Sequence, residues 1–392
     1  MASTLQRLFQ RHFSQLAETE RLPPHWYRAA NSLSRCRTAA LGGHVQACPA
    51  GHVERVWYNS CKHRSCPQCK GLQMARWLQQ QRARLLDCPH YHIIFTIPHE
   101  LNSLWQCNTA AMMGLLFQCA SQCLQELLND ERRLAGAEPG YLMALHTWGR
   151  SLSLHPHLHC LITNGGLSDT GWQQHKGSCL LPARVLMAKF RGKLLALLRR
   201  AIDQQTLRLP DVVSEERMKS CLNSLFQKKW NVRIETRYDH AQGLVHYLAR
   251  YVRGGPLHDG QIRLTPQQQV AFTFTPHRDS ATAYRSVCAA HTPTGFLKLV
   301  LQHVPEPGKH TVRSYGLCAP RKTARLNLAR AVFHQTPITT IPPMTWQAYY
   351  AQTVAQPTAH VCAVCGASIG HVRSIAPHHD PPRPRVKGIH HV

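Results

Sequence analysis

The sequence lacks any long uninterrupted run of apolar residues, although hydrophobic residues make up 43% of its 392 positions. A helix that crosses a membrane needs about 20 consecutive apolar residues, so we expect neither a membrane anchor nor a membrane partner. The opening stretch MASTLQRLFQRHFSQLAE carries charges where a secretory signal has an apolar centre. The sequence therefore predicts a cytoplasmic protein.

Acidic residues are scarce. The chain has 20 Asp and Glu against 46 Lys and Arg, which gives a formal net charge of +26. An excess of this size favours a polyanionic partner, of which nucleic acid is the simplest. A basic protein of another kind, such as one associated with the ribosome, would have a similar composition, so charge alone does not identify the partner.

Cysteine, in contrast, is plentiful, with 16 residues, and clustered cysteines in a cytoplasmic chain indicate a metal site rather than disulfides. The densest group lies in CPAGHVERVWYNSCKHRSCPQC. A structural zinc site takes four Cys or His ligands and would fold a segment too polar to fold alone. A redox-active Cys-x-x-Cys or thiols that bind no metal are the alternatives. The simplest ligand set is Cys48, Cys61, Cys66 and Cys69, in which His52 or His63 could replace one cysteine.

A second Cys-x-x-Cys pair, Cys362 and Cys365, lies near the end of the chain in HVCAVCGAS. No further cysteine pair accompanies it, so the pair alone leaves zinc binding open. Histidines are the candidates to complete a site there, namely His360, His371, His378 and His379.

The order of predicted elements favours an α+β fold with a mainly antiparallel sheet rather than a regular βαβ repeat. Apolar periodicity predicts helices at 1–35, 71–86, 103–129, 183–202, 214–227 and 243–256. Alternating or β-branched runs predict strands at 91–98, 141–149, 155–166, 230–237, 270–275 and 311–316. The expected units are a helical arm (1–35), a zinc-binding, DNA-contacting module (36–87), a nuclease domain (88–256), a C-terminal part of the same region (257–345) and a basic tail with the cysteine pair (346–392).

Three histidines alternate along the predicted strand LHPHLHCLI. Because alternate residues of a strand share a face, His155, His157 and His159 lie on one side, and Leu158 and Cys160 lie on the other. The outer two histidines are about 13 Å apart on a flat strand, so His157 and His159 are the favoured metal pair. A third ligand would be His146 on the preceding strand, or His155 if Pro156 bends the chain. Strand histidines that hold no metal are the alternative.

Two tyrosines follow in HYLARY, where Tyr247 and Tyr251 share a helix face one turn apart. Tyrosines at this spacing are most often packing residues, yet a phenol oxygen can act as a nucleophile. A divalent cation can polarise a phosphodiester, and a basic groove can hold a single strand. The basic charge, the cysteine cluster, the histidine strand and the tyrosine helix together favour an enzyme acting on DNA.

A His-x-His strand followed by a Tyr-x-x-x-Tyr helix resembles the HUH endonucleases. The chain as a whole resembles the rolling-circle transposases of the insertion sequence 91 family, of the two-tyrosine type, from about residue 36 to about residue 320. The stretches that carry the resemblance are CRTAALGGHVQAC, YNSCKHRSCPQCKGLQMARWL, HIIFTIPHEL, LHTWGRSLSLHPHLHCLITNGG, HYLARYVRGG and FLKLVLQHVPEPGKHTVRSYGL, in family order.

The resemblance implies an HUH-type nuclease core with a mainly antiparallel sheet flanked by helices, plus an N-terminal zinc module. It implies that His157 and His159 hold a catalytic Mg²⁺ or Mn²⁺. Tyr247 or Tyr251 would then attack single-stranded DNA at the ends of a bacterial mobile element and leave a 5′-phosphotyrosine. One departure is Ala50, which stands about where the family often has the second cysteine of the first knuckle.

Three other functions fit parts of the pattern. One is a plasmid relaxase or replication initiator with the same chemistry. Another is a non-enzymatic zinc-dependent DNA-binding regulator. The third is a hydrolase that uses His155, His157 and His159 with a metal-bound water. The sequence does not indicate an oligomeric state.

Overall fold

The computed structural model describes residues 2–177, 179–240, 243, 245–246, 248–249, 255–274, 287–353, 361–362, 364–367, 369 and 371–378. Its helices are α1 (Thr4–Thr19), α2 (Pro24–Arg35), α3 (Lys70–Arg84), α4 (Asn102–Cys107), α5 (Thr109–Leu128), α6 (Ala183–Asp203), α7 (Glu215–Gln227), α8 (Pro293–Leu301), α9 (Thr323–Val332) and α10 (Trp346–Thr353). Its strands are β1 (Gly43–Ala47), β2 (Val53–Tyr58), β3 (His90–Thr96), β4 (Gly140–Trp148), β5 (Leu154–Thr163), β6 (Gly165–Ser168), β7 (Gly171–Gln174), β8 (Val232–Tyr238), β9 (Ile262–Leu264), β10 (Val270–Phe274), β11 (Val287–His291), β12 (Val312–Gly316) and β13 (His371–Ile375).

The strands pair in antiparallel fashion throughout the part of the chain that the structure describes. Helices and antiparallel sheets together confirm the predicted α+β class. Among these same residues, no helix is both long and apolar enough to cross a membrane.

A five-stranded sheet, which we call the central sheet, has the strand order β12–β4–β5–β3–β8. Its middle strand β5 pairs with β4 on one side and with β3 on the other. Both β3 and β5 lie in stretches rich in β-branched and apolar residues, which favour a buried strand. The edge strand β12 comes from residues 312–316, so the sheet extends beyond residue 256, where the sequence places the end of the nuclease domain.

One face of the central sheet packs against helices. Alternate residues of β5, namely Leu158, Cys160 and Ile162, lie on this face and are fully buried. They belong to a core that includes Phe117 of α5 and Phe190 of α6. The structure thus confirms the expected position of Leu158 and Cys160, and it leaves the opposite face of β5 to the histidines.

The two N-terminal helices form a second core with α8 and the small sheet β9–β10–β11. Helix α1 begins after Ser3, whose side-chain oxygen accepts a hydrogen bond from the backbone amide of Gln6, as a helix N-cap does. Leu5, Leu8 and Phe9 recur at helical spacing and are buried. Residues 1–35, predicted as a separate arm, therefore pack onto the C-terminal part of the chain.

A further three-stranded sheet joins the two ends of the sequence. Strand β1 pairs with β2 in a hairpin and, on its other edge, with β13. The predicted tail therefore contributes a strand to the predicted zinc module. Helix α3, the last element of the predicted module, places Leu78 in a cluster with Leu142 and Leu161 of the central sheet, so the module contacts that sheet through this helix.

Candidate active site and metal centres

Histidines from two neighbouring strands converge on the face of the central sheet that lies opposite the α5–α6 core. In the antiparallel register, His146 of β4 lies directly across from His157 of β5, and His159 is two residues further along the same face. The rings of His146 and His159 have centroids 4.1 Å apart. One ligand nitrogen from each of His146, His157 and His159 lies within 4.8 Å of the others, a spacing that fits three ligands of one metal ion. We call these residues the histidine cluster.

Burial keeps the histidine cluster neutral. His146 and His159 are almost completely buried, and His157 is half-buried. Desolvation by burial, helped by the neighbouring imidazoles, lowers the pKa of His157 to about 4 and the pKa of His159 to about 2. Burial also lowers the pKa of His146 well below its usual value. A neutral imidazole keeps a lone pair on one nitrogen, which is the form that binds a metal ion.

The hydrogen bond of His157 fixes which nitrogen can face a metal. Its Nδ1 lies 2.6 Å from the carbonyl oxygen of His155, and because a carbonyl only accepts, Nδ1 carries the proton. The Nε2 of a neutral His157 is then free to act as a ligand. The ring of His155 is exposed and stays outside the cluster. Of the two candidates for a third ligand, only His146 has a ring nitrogen within the ligand cluster, although the ring of His155 also lies beside that of His157, with centroids 5.1 Å apart.

A fourth histidine, His92, is one that the sequence pattern does not predict. It lies on β3, and its Nε2 is 2.7 Å from Nδ1 of His159, with the two rings stacked. Burial lowers the pKa of His92 to about 4, while the charge of Glu235 acts in the opposite direction. The signal that could have identified His92 is the pairing of β3 with β5, which puts it opposite Leu161, two residues beyond His159 on the same face.

The predicted nucleophiles, Tyr247 and Tyr251, lie outside the described residues. Their neighbours Val245, Leu248 and Ala249 are described, are helical and are completely buried.

These three helical residues pack in one cluster with Ala144 of β4 and Leu161 of β5. Ala144 lies directly opposite His159 in the β4–β5 register. Val245, Leu248 and Ala249 therefore cover the same face of the central sheet as the histidine cluster and adjoin it.

Four thiols form a separate cluster between α2 and α3, and one of them differs from the predicted set. Cys61, Cys66 and Cys69 come together as expected, but the fourth member is Cys36 rather than Cys48. The Sγ atom of Cys36 lies 3.4 Å from that of Cys69 and 3.6 Å from that of Cys66. The geometry thus corrects the placement of Cys48, which lies in another cluster with His52.

The location of the four thiols explains the correction. Cys36 directly follows α2, and Cys69 directly precedes α3, so the site connects the two helices. Hydrogen bonds from the thiol of Cys36, and then from those of Cys61 and Cys66, lower the pKa of Cys69, which favours a thiolate. Four sulfur ligands in a closed, largely buried site are typical of structural zinc. His63 is not among the clustered ligands in the described part of the chain.

Comparisons with known proteins place these features in context. Residues 8–97 match the family described as "Transposase zinc-binding domain", and residues 140–325 match the family described as "Putative transposase". The first match contains the four-thiol cluster, and the second contains the histidine cluster and the tyrosine motif. The zinc-binding character of the N-terminal part is therefore supported both by its family and by its geometry.

Two curated proteins are similar to most of the chain. The "Putative transposase y4qJ" of Sinorhizobium fredii is 33% identical over 300 residues, which cover 75% of this chain and 74% of that protein. The transposase for insertion sequence element IS801 of Pseudomonas savastanoi pv. phaseolicola is 28% identical over 352 residues, covering 87% of this chain and 82% of that protein.

One solved structure, the conjugative relaxase TrwC in complex with oriT DNA in its metal-bound form, is 13% identical to this chain. The match covers 58% of this chain and 94% of that chain, with a TM-score of 0.22. A TM-score this low supports no argument about a shared fold.

Proposed function

Since this chain belongs to the insertion sequence 91 family of transposases, we propose that it moves its element by rolling-circle transposition. In this proposal it nicks and rejoins single-stranded DNA at the element ends through a 5′-phosphotyrosine intermediate. The observation that carries the proposal is the packing of the helical residues Val245, Leu248 and Ala249 beside the histidine cluster on one face of the central sheet.

The histidine cluster would hold the catalytic cation. Three neutral imidazoles on rigid strands fit a divalent transition metal better than Mg²⁺, so Mn²⁺ is expected to serve at least as well as Mg²⁺ in vitro. A cation bound by His146, His157 and His159 would polarise the scissile phosphate and stabilise its developing charge. His155, whose ring lies outside the cluster, would contribute only the carbonyl that orients His157.

Tyr247 and Tyr251 are the proposed nucleophiles. The phenol oxygen of one tyrosine forms a bond to phosphorus as the bond from phosphorus to the 3′-oxygen breaks. The proton lost by the phenol balances the one taken up by the leaving 3′-oxygen, which becomes a 3′-hydroxyl. The reverse reaction with another 3′-hydroxyl rejoins the strand. Because the phosphotyrosine conserves the phosphodiester energy, the cycle needs no nucleotide cofactor. A second tyrosine allows two strands to be held at once.

DNA is the expected partner of a transposase, and the excess of 46 Lys and Arg over 20 Asp and Glu suits a polyanion. The restriction to a single strand is part of the proposal and follows the HUH endonucleases, which the histidine strand and the tyrosine motif resemble. A plasmid relaxase or replication initiator would share this chemistry. The match of residues 8–97 to a transposase zinc-binding domain favours the transposase.

The test is a covalent-adduct assay with single-stranded oligonucleotides taken from the ends of the element. The wild type with Mn²⁺ is expected to give a protein-linked DNA band that survives denaturation. His157→Ala should lose this band and still bind DNA within a few fold, because it removes a metal ligand and leaves in place the Lys and Arg side chains that contact phosphates. The matched control is His155→Ala, which removes the exposed neighbouring imidazole and keeps the carbonyl.

Three outcomes of this assay contradict the proposal. Adduct formation that persists after complete chelation would exclude a metal role for the histidine cluster. Cleavage that leaves free 5′-phosphates and no linked protein would indicate a water-dependent hydrolase, and binding without any cleavage would indicate a regulator.

A second prediction concerns His92, which we infer orients His159 by accepting its Nδ1 proton, so that Nε2 of His159 faces the metal. His92→Phe is expected to raise the Mn²⁺ concentration needed for half-maximal adduct formation by about 10- to 100-fold. His92→Gln, which can place an amide oxygen near the same nitrogen, should recover most of this loss. Equal Mn²⁺ requirements for the wild type and His92→Phe would contradict the orienting role.

A further inference from the structure

The cysteine displaced from the four-thiol cluster lies in a tight turn of its own. Cys48 directly follows β1, and His52 directly precedes β2. The amide of Cys48 donates to the carbonyl of His52 at 3.1 Å, and the amide of Gly51 donates to the carbonyl of Cys48 at 2.9 Å. Gly51 has a φ of +85°, which a glycine adopts without strain. The turn brings Sγ of Cys48 to 3.3 Å from Nδ1 of His52.

The cysteine pair near the end of the chain forms a similar turn. The amide of Val364 donates to Sγ of Cys362 at 3.4 Å, and the amide of Gly366 donates to the carbonyl of Cys362 at 2.9 Å. Gly366 also has a positive φ, of +70°. An amide that points at the first sulfur of a Cys-x-x-Cys-Gly turn stabilises a thiolate there, and thiolate is the form of cysteine that binds metal.

The two turns face each other although their cysteines are 317 positions apart in the sequence. Sγ of Cys365 lies 3.6 Å from Sγ of Cys48, and Sγ of Cys362 lies 3.8 Å from Nδ1 of His52. One ligand atom from each of the four residues lies within 4.8 Å of the others. This is the size of a tetrahedral site with nitrogen and sulfur ligands.

Little apolar surface is buried around the four residues. The apolar cluster there consists of Cys48, Cys362 and Ile369, with Ala367 packed against it. Next to it, β13 adds five residues to the edge of β1. A short strand with so little buried apolar surface needs an additional constraint to stay ordered, and a metal ion bound by both turns would supply one.

We propose that Cys48, His52, Cys362 and Cys365 bind a second structural zinc ion, distinct from the one expected at Cys36, Cys61, Cys66 and Cys69. Three thiolates and one imidazole would close the site, with no position left for water or substrate. The ion ties the C-terminal segment to the β1–β2 hairpin and completes the three-stranded sheet. His52 supplies the ligand that Ala50 does not.

The first experiment measures zinc per chain by elemental analysis of the purified full-length protein. Cys362→Ser/Cys365→Ser is expected to hold one equivalent less than the wild type and to lose hydrogen-exchange protection in β13 and not in the central sheet. The control is Cys107→Ser/Cys179→Ser, two exposed cysteines outside both clusters, which should keep the full zinc content. Equal zinc content in the tail variant and the wild type would overturn the proposal, as would a Cys48–Cys365 disulfide in the native protein.

A second experiment does not depend on losing a ligand. His52→Cys should keep the zinc, and in the cobalt-substituted protein it should increase the thiolate-to-metal charge-transfer absorption by the contribution of one added sulfur. His63→Cys, a histidine outside both clusters, should leave this absorption unchanged. An unchanged absorption in His52→Cys would show that His52 is not a ligand and would overturn the assignment.

Discussion

Replacing Tyr247 and Tyr251 together by phenylalanine is expected to abolish formation of the covalent DNA adduct, with a loss of about a thousandfold or more. Only the two phenol oxygens are removed, and the aromatic rings remain. Since phosphate contacts made by Lys and Arg dominate the affinity for DNA, the dissociation constant should stay within a few fold of the wild-type value. The measurement is a denaturing gel of protein-linked oligonucleotide, beside a binding titration.

Single substitutions will rank the two tyrosines. If one of them starts the reaction, its replacement by phenylalanine should remove the first adduct, whereas replacement of the other should stop only the second cleavage. Tyr27→Phe is the matched control, because Tyr27 is exposed on α2, where it packs edge-on against Phe13 of α1. A double variant that still forms the adduct would refute the assignment of both nucleophiles.

The sequence is sufficient to predict the strands of the active site but not all of the residues in it. Alternation places His157 and His159 on one face because the period of a strand is fixed by geometry. His146 was a candidate only as a residue of the neighbouring strand, and its place depends on the β4–β5 register. His92 depends on the pairing of β3 with β5. A pairing register between distant strands is a tertiary property, which a single sequence does not encode locally.

The glycine pair after β5 is a second feature whose structural role the sequence does not determine. Asn164, Gly165 and Gly166 are typical of a turn, yet both glycines lie in β6. A Cβ atom at Gly165 would come within 2.6 Å of the carbonyl oxygen of Gln173, and one at Gly166 would come within 2.7 Å of the backbone of Glu138. Both positions therefore need glycine because another backbone segment lies close to them. Sequence alone does not distinguish this requirement from that of a turn.

The zinc module shows where sequence proximity misleads. Cys48 precedes Cys61, Cys66 and Cys69 in the segment densest in cysteine, so the sequence predicts the four as the simplest ligand set. Cys36 is further than Cys48 from these three cysteines along the chain. It directly follows α2, however, and α2 packs in the same core as Cys66 and Cys69. Cys48 lies at the far end of β1, where the C-terminal turn meets it. The ligand proposed at Cys365 lies more than three hundred residues from Cys48 in the sequence, so the spacing of nearby cysteines does not reveal it.

The four-thiol cluster also has a mechanical connection to the candidate active site. Cys69 directly precedes α3, and α3 places Leu78 in the cluster that contains Leu161 and Val245 on the histidine face of the central sheet. A metal ion at the four thiols would therefore hold the N-terminus of the helix that covers this face. Loss of the ion is expected to disturb both the N-terminal core and the packing beside the histidine cluster.

Cys36→Ser is therefore expected to have a large effect on stability. Structural zinc contributes about 10–16 kcal/mol of apparent binding free energy in small zinc-finger peptides, and Cys36 is completely buried between α2 and the other three thiols. Loss of one ligand should release the ion, lower the thermal unfolding temperature and expose residues within 1–84 to limited proteolysis. Cys107→Ser, which changes an exposed cysteine, should leave all three properties unchanged.

The choice between Cys36 and Cys48 as the fourth ligand can be decided in a background that lacks the C-terminal pair. In Cys362→Ser/Cys365→Ser, adding Cys36→Ser should remove one further zinc equivalent, because the thiol that lies 3.4 Å from Cys69 is gone. Adding Cys48→Ser to the same background should leave that zinc in place, since Cys48 contacts His52 and not the four-thiol cluster. If Cys48→Ser removes the ion and Cys36→Ser retains it, the ligand set inferred from the structure is wrong and the one predicted from sequence proximity is correct.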